Sequence, residues 1–197
     1  MASWLRKPII PAVWEIQKDQ NALAGAGMIF LQGGELANLP KILDSLEGGP
    51  LARVPLILHI DLLAGLANDE AGLRYIAGLG RIHGIITVRH HLVPTARRLG
   101  LASVVRLFLH DSRAVDRGLA IIEKCEPDAI ELLPGVAVIE LASQFRQVPV
   151  PRIAGGLIRT PQQVRRILDT GCQAISTSNA TLWRLNGIDR AAIGRCD

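Results

Sequence analysis

Two short segments in the last quarter of the sequence carry the residue types that hold a phosphate. The first is Ala154-Gly155-Gly156-Leu157-Ile158-Arg159-Thr160. The second, one helical pattern later, is Ser176-Thr177-Ser178-Asn179. Glycines let backbone N–H groups approach an anion with no Cβ in the way. Small hydroxyl residues opening a short final helix add N–H and O–H donors and the positive end of a helix dipole. The alternative for the pair is two tight turns between a helix and a strand.

A second set of polar residues punctuates apolar runs. His59 and Asp61 are two apart, as are Thr87 and Arg89, and Arg106 and Glu131 each sit late in a run. On a strand, residues two apart share a face. A histidine, carboxylates and arginines converging on one mouth need a polar ligand or one another to offset desolvation. The alternatives are structural: Asp61 as a helix N-cap, and Arg106 with Glu131 as an internal ion pair.

Other chemistries fall away. His90-His91 and His110 do not form H-x-x-H or H-E-x-x-H spacing. Cys125, Cys172 and Cys196 are far apart, odd in number and without a C-x-x-C pair, so neither a disulfide framework nor a zinc knuckle is expected. Gly25-Ala26-Gly27 precedes an apolar run instead of following one, the wrong side for dinucleotide phosphates. The sequence holds no Walker-type G-x-x-x-x-G-K and no serine nucleophile elbow. No catalytic residue, metal or cofactor is assigned.

The elements that must position these residues repeat along the chain. Apolar runs lie at 9–13, 27–31, 56–60, 84–88, 102–107, 129–132, 151–154 and 174–177. Each is continuous, which suits strands covered on both faces of a parallel sheet. Helical patterns of about 10–15 residues separate them, the βαβ rhythm. Leu36, Leu39, Leu43 and Leu46 fall at helical spacing. Asp111 or Ser112 caps a helix through Val115, Leu119 and Ile122 to Cys125, ended by Pro127. Thr160-Pro161 reads as N-cap and N1 of a helix reaching Leu168 and closed by Gly171.

About eight such units in 197 residues predict an α/β fold, a compact (β/α)8 TIM-type barrel forming a single domain over 1–197. An open doubly wound sheet is the rival if the first or second run is not a strand. In a barrel, ligands bind at the C-terminal ends of the strands, and the loops after strands seven and eight are the usual phosphate site. Both glycine and hydroxyl segments fall there.

Charged residues at 20%, apolar residues at 49% and a mean hydropathy of +0.27 exclude a disordered chain. No apolar run approaches the roughly 18 residues of a membrane span. The start, Met1 to Pro8, lacks the order of a signal peptide. A soluble cytoplasmic protein is expected. Net charge is +4, and residues 144–197 hold eight arginines against Asp169, Asp189 and Asp197. A basic final quarter fits an anionic ligand or partner.

In order, Ile10-Pro11-Ala12, Leu58-His59-Ile60-Asp61-Leu62 with Gly65-Leu66, Thr87-Val88-Arg89 and Arg106-Leu107-Phe108-Leu109-His110-Asp111-Ser112 form one set of blocks. Ile130-Glu131-Leu132-Leu133-Pro134-Gly135, the glycine segment, and Thr177-Ser178-Asn179 with Leu182-Trp183 complete it. Together, over about 8–183, they resemble the GlpP family, the glycerol uptake operon antiterminator regulatory proteins. That resemblance implies a compact barrel that responds to glycerol 3-phosphate and binds leader mRNA, preventing premature termination of glycerol-utilisation transcripts. It implies that Gly155, Gly156, Thr177, Ser178 and Asn179 hold the ligand phosphate, with Arg159 the nearest additional cation. His59, Asp61, Arg89, Arg106 and Glu131 would line the glycerol end. The chain departs from the pattern at Val13-Trp14-Glu15, where the family has a basic residue, and the tail from Leu185 lies beyond the resemblance.

Three Phe, three Trp and one Tyr form no RNP-like stacking platform. Arginine–phosphate contacts would then dominate RNA binding, with steep salt dependence. Arg97, Arg98, Arg165, Arg166, Arg184 and Arg190 are the candidates, and solvated helix faces are their alternative. Two other functions stay open: a phosphosugar-processing enzyme using Asp61 or Glu131 as general base, and a phosphometabolite sensor acting through a protein partner. A homo-oligomer also stays open.

Overall fold

In the computed structural model, described over residues 5–16 and 20–194, eight parallel strands close into a barrel. They are β1 (Ile9–Val13), β2 (Ile29–Leu31), β3 (Leu56–His59), β4 (Ile82–Thr87), β5 (Ala102–Phe108), β6 (Ala129–Leu133), β7 (Arg152–Gly155) and β8 (Ala174–Thr177). Each strand pairs with the next in sequence, and β8 returns to β1 through Ile9 opposite Ile175. All eight expected runs are strands, so the open-sheet rival is excluded. The fourth begins at Ile82, two residues before the expected start, with His83 Nδ1 accepting from Leu56 N at 3.4 Å.

Alternation along the strands separates two apolar layers. Ile9, Val13, Leu56, Leu58, Ile85, Val105, Ile130 and Ile175 belong to the cluster shared with the surrounding helices. Ile10, Ala12, Phe30, Ile57, Ile86, Val104, Ala129, Ile153 and Ala174 fill the barrel interior. Two residues after the interior members Ile57, Val104, Ala129, Ile153 and Ala174 come His59, Arg106, Glu131, Gly155 and Ser176. A pleat period of 2 therefore turns these five into the barrel's upper, polar layer.

The helices are α1 (Gln20–Leu23), α2 (Leu39–Asp44), α3 (Glu70–Gly78), α4 (Val93–Arg98), α5 (Ser112–Cys125), α6 (Pro161–Asp169) and α7 (Ala180–Trp183). Asp111 caps α5, its Oδ1 accepting from Ala114 N at 2.6 Å. Thr160 caps α6 in a reciprocal box: Thr160 Oγ1 accepts from Gln163 N, and Gln163 Oε1 accepts from Thr160 N. Pro161 lies in the first turn of that helix, where its missing N–H costs nothing.

Two connections differ from the expectation. The Leu36–Leu46 pattern divides into a 3-10 turn, Leu36–Asn38, and α2. Pro40 fits only a first helical turn, so the helix starts beside it. Between β6 and β7 the chain forms a 3-10 turn, Gly135–Val138, and further turns, with no α-helix among the described residues. Val136, Val138 and Ile139 are β-branched and weaken helix formation there. Buried Phe145 fills that side, its carbonyl held by Arg152 Nη1 at 2.7 Å. A parallel two-residue ladder of Gly34–Glu35 with Leu63–Ala64 adds a feature absent from the sequence reading.

Cys125 and Cys172 are buried free thiols, both pushed up in pKa by burial. Cys196 lies outside the described residues. Among the described residues no helix is long and apolar enough to cross a membrane, and no cluster of His, Cys, Asp and Glu could hold a metal ion.

Candidate ligand-binding site

The polar layer opens into a cavity of about 400 Å³ at the C-terminal mouth of the barrel. Its floor is a charged pair in strand register. Arg106 on β5 stands opposite Glu131 on β6, and Arg106 Nε donates to Glu131 Oε2 at 2.6 Å. Ser176 Oγ donates to Glu131 Oε1 at 2.5 Å. Glu131 is 1% exposed, so both carboxylate oxygens are satisfied inside the protein. The internal ion pair weighed as an alternative is thus present, and it also lines the cavity. Arg106 Nη1 and Nη2 make no hydrogen bond among the described residues and remain available.

The two loop segments form the wall above this floor. Gly156, Leu157, Ile158 and Arg159 line the cavity beside Thr177, Ser178 and Asn179, and Asn179 Nδ2 donates to Arg159 O at 3.4 Å. Gly156 and Leu157 adopt left-handed backbone, with φ of 78° and 60°. A glycine takes this conformation freely, while Leu157, its side chain exposed, adopts it at a steric cost. The backbone N–H groups of Gly156, Leu157 and Ser178 make no hydrogen bond with described residues. Arg159 is exposed, and its guanidinium has no ion pair or hydrogen bond among them.

Gly155 is buried and is not part of the lining. A Cβ there would sit 2.5 Å from Ser176 Oγ and 2.8 Å from Glu131 Oε1. Its lack of a side chain makes room for the Ser176–Glu131 contact. The helix after β8 is only the four residues of α7, too short for a strong dipole. Asn179 caps it, Oδ1 accepting from Thr181 N at 3.1 Å and from Thr181 Oγ1 at 2.6 Å. Asn179 N donates to Thr177 Oγ1 at 3.1 Å, which leaves Ser178 N and the Thr177 and Ser178 hydroxyls among the donors with no partner among the described residues.

His59, Asp61 and Arg89 form a neighbouring group outside the cavity lining. Asp61 lies within a 3-10 turn, Ile60–Leu62, and is not a helix N-cap. It accepts from Thr87 Oγ1 at 3.0 Å, Val88 N at 2.8 Å and Arg89 Nε at 3.2 Å. His59 Nδ1 has no hydrogen-bond partner among the described residues and lies 3.9 Å from Asp61 Oδ2. Burial and the Arg106 charge lower its pKa from 6.5 to about 4, against the opposing pull of Asp61.

The sequence reading missed Trp14 and Gln32, which follow β1 and β2 and complete the lining with Ala12 and Leu133. Their place after strands was the available signal. A family profile described as "Glycerol-3-phosphate responsive antiterminator" matches residues 9–183. The chain belongs to this antiterminator family. It is 32% identical to a glycerol uptake operon antiterminator regulatory protein from Listeria monocytogenes str. 4b F2365, with a TM-score of 0.80 covering 91% of this chain and 96% of that one. A glycerol uptake operon antiterminator-related protein from Thermotoga maritima MSB8 is also 32% identical, with a TM-score of 0.78 covering 90% and 98%. The uncharacterised YgcP of Escherichia coli (strain K12) is 28% identical over 91% of this chain and 93% of its own.

Five of the six arginines considered for RNA have hydrogen-bond partners within this antiterminator-family barrel. Arg97 Nη2 donates to Glu126 O, and Arg98 Nη2 to Glu70 Oε2 and Thr95 Oγ1. Arg165 pairs with Asp169 and reaches Ala191 O, Arg184 Nε donates to Thr181 O, and Arg190 Nη2 to Cys172 O. Arg166 alone of the six makes no such contact among the described residues. It lines an open cleft with Arg146 and Arg152, at the end of the barrel away from the cavity.

Proposed function

We propose that this protein is a cytoplasmic, glycerol 3-phosphate-responsive regulator that binds leader mRNA and so controls glycerol uptake and utilisation genes. The single observation that carries the ligand half is a cavity lined by Gly156, Leu157, Ser178, Arg159 and Arg106, whose backbone N–H groups (Gly156, Leu157, Ser178) and guanidinium groups (Arg159, Arg106 Nη) have no hydrogen-bond partner among the described residues. Backbone donors with a cation suit a phosphate. Arg106 and Gln32 offer hydrogen-bonding groups to the hydroxyls of a short polyol. Family membership supports the regulatory half.

The enzyme alternative has less support. A general base needs an open lone pair aimed at substrate. Asp61 accepts three hydrogen bonds and lies outside the cavity lining, and the Glu131 carboxylate is held between Arg106 and Ser176.

Titration of the protein with glycerol 3-phosphate, glycerol and inorganic phosphate, followed by tryptophan fluorescence because Trp14 lines the cavity, tests the ligand. Mobility shift of the operon leader RNA with and without glycerol 3-phosphate, over a salt series, tests the partner. Glycerol 3-phosphate binding tighter than either fragment, and RNA binding that responds to it, are expected. Equal affinity for glycerol alone, or no RNA binding in any condition, overturns the reading.

A further inference from the structure

The mouth of the barrel carries a second recess, of about 200 Å³, between β4 and the β5–α5 unit. Val88, Phe108, His110 and Arg117 line it, together with Arg106 from the wall of the ligand cavity. Three features give it a chemistry. Phe108, the last residue of β5, is 52% exposed, and neighbouring Val88 is 43% exposed. A phenyl ring left in water at the edge of a recess offers a stacking face.

The second feature is charge. Arg117 makes no ion pair or hydrogen bond among the described residues, and neither does Arg113 one turn earlier on α5. Like charges at this spacing repel, and an anion relieves them. The third is Arg106 itself. Its Nε is fixed on Glu131 while its Nη groups are uncommitted, and it borders both recesses.

An aromatic face with a cation at its edge fits an unpaired nucleotide, whose base stacks while its phosphate meets the guanidinium. We propose that this recess takes one unpaired nucleotide of RNA, its base against Phe108 and its phosphate on Arg117. Arg106 is the wall shared with the ligand cavity, and the assignment rests on the RNA-binding reading above. A ligand that engages the Arg106 Nη groups fixes that wall and tightens RNA, and RNA tightens the ligand by the same factor. The cleft of Arg146, Arg152 and Arg166 offers cations, but no aromatic side chain lines it and it shares no residue with the ligand cavity.

The test is titration of the full chain with a fluorescein-labelled single-stranded RNA of about 12 nucleotides, beside its duplex, with glycerol 3-phosphate present. The single strand binds more tightly than the duplex. F108A, which changes no charge, weakens binding about tenfold, and F108W restores it. R117E weakens it at least about tenfold and lowers the salt dependence. All three variants still bind glycerol 3-phosphate by tryptophan fluorescence, which shows that they are folded. Unchanged RNA affinity in F108A and R117E overturns the assignment while leaving the proposed function intact, and so does loss confined to an R146E/R166E variant. No RNA binding by the unmodified protein overturns both.

Discussion

Arg106 and Glu131 face each other across adjacent strands, joined at 2.6 Å in a layer where the carboxylate is almost wholly buried. A buried pair is costly to break from one side, because the remaining charge has no partner. Glu131→Gln and Arg106→Gln are each expected to lower unfolding free energy by about 3–5 kcal/mol. The double variant, which leaves neither charge stranded, loses clearly less than the sum. Urea denaturation of the four proteins measures this coupling, and simple additivity would count against a direct pair.

Gly155 and Gly156 are adjacent, but substitution affects them for different reasons. Gly155→Ala drives a Cβ into Ser176 Oγ and Glu131 Oε1, and a cost of about 1–3 kcal/mol is expected with weakened ligand binding. Gly156 has room, with its nearest neighbour 3.7 Å from an added Cβ, but its φ of 78° disfavours any side chain. Gly156→Ala is expected to cost about 1 kcal/mol, and Gly156→Leu to lower glycerol 3-phosphate affinity as well. Thermal melts with and without ligand separate the two.

The barrel was legible because a buried strand, covered on both faces, must read as an uninterrupted apolar run. The polar layer was legible for a related reason: His59, Arg106, Glu131 and Ser176 interrupt those runs at their C-terminal ends. Trp14 and Gln32 carried one signal, their place just after strands, but nothing local tells which loop side chains turn into a mouth. The arginines were harder still. Carbonyl partners such as Glu126 O for Arg97 and Cys172 O for Arg190 come from chain reversals distant in sequence. The division of His59, Asp61 and Arg89 from the cavity depended on Thr87 and Val88 N meeting Asp61, a contact between the end of β4 and the turn after β3.

Arg159 supplies an exposed cation of the cavity wall, and its side chain makes no ion pair or hydrogen bond among the described residues. Arg159→Ala is therefore expected to weaken glycerol 3-phosphate about ten- to a hundredfold, the range of a lost charge-assisted hydrogen bond. Stability should stay within about 0.5 kcal/mol, as for an exposed substitution. Isothermal titration and a thermal melt check both halves. A large fall in stability would mean that the side chain has a structural duty.

His59 gives the protein a pH dependence with a definite sign. Its pKa is about 4 in the folded state against 6.5 for the free side chain, because burial and Arg106 disfavour its charged form. The unfolded chain therefore takes up a proton first as pH falls. Stability is undiminished above pH 6.5 and declines as pH drops from there towards 4, by up to about 3 kcal/mol. His59→Gln removes the titration, so its stability should fall less over this window than that of the unmodified protein. Denaturant unfolding at pH 7, 6, 5 and 4.5 follows the difference, and parallel curves for the two proteins would show that His59 does not set it.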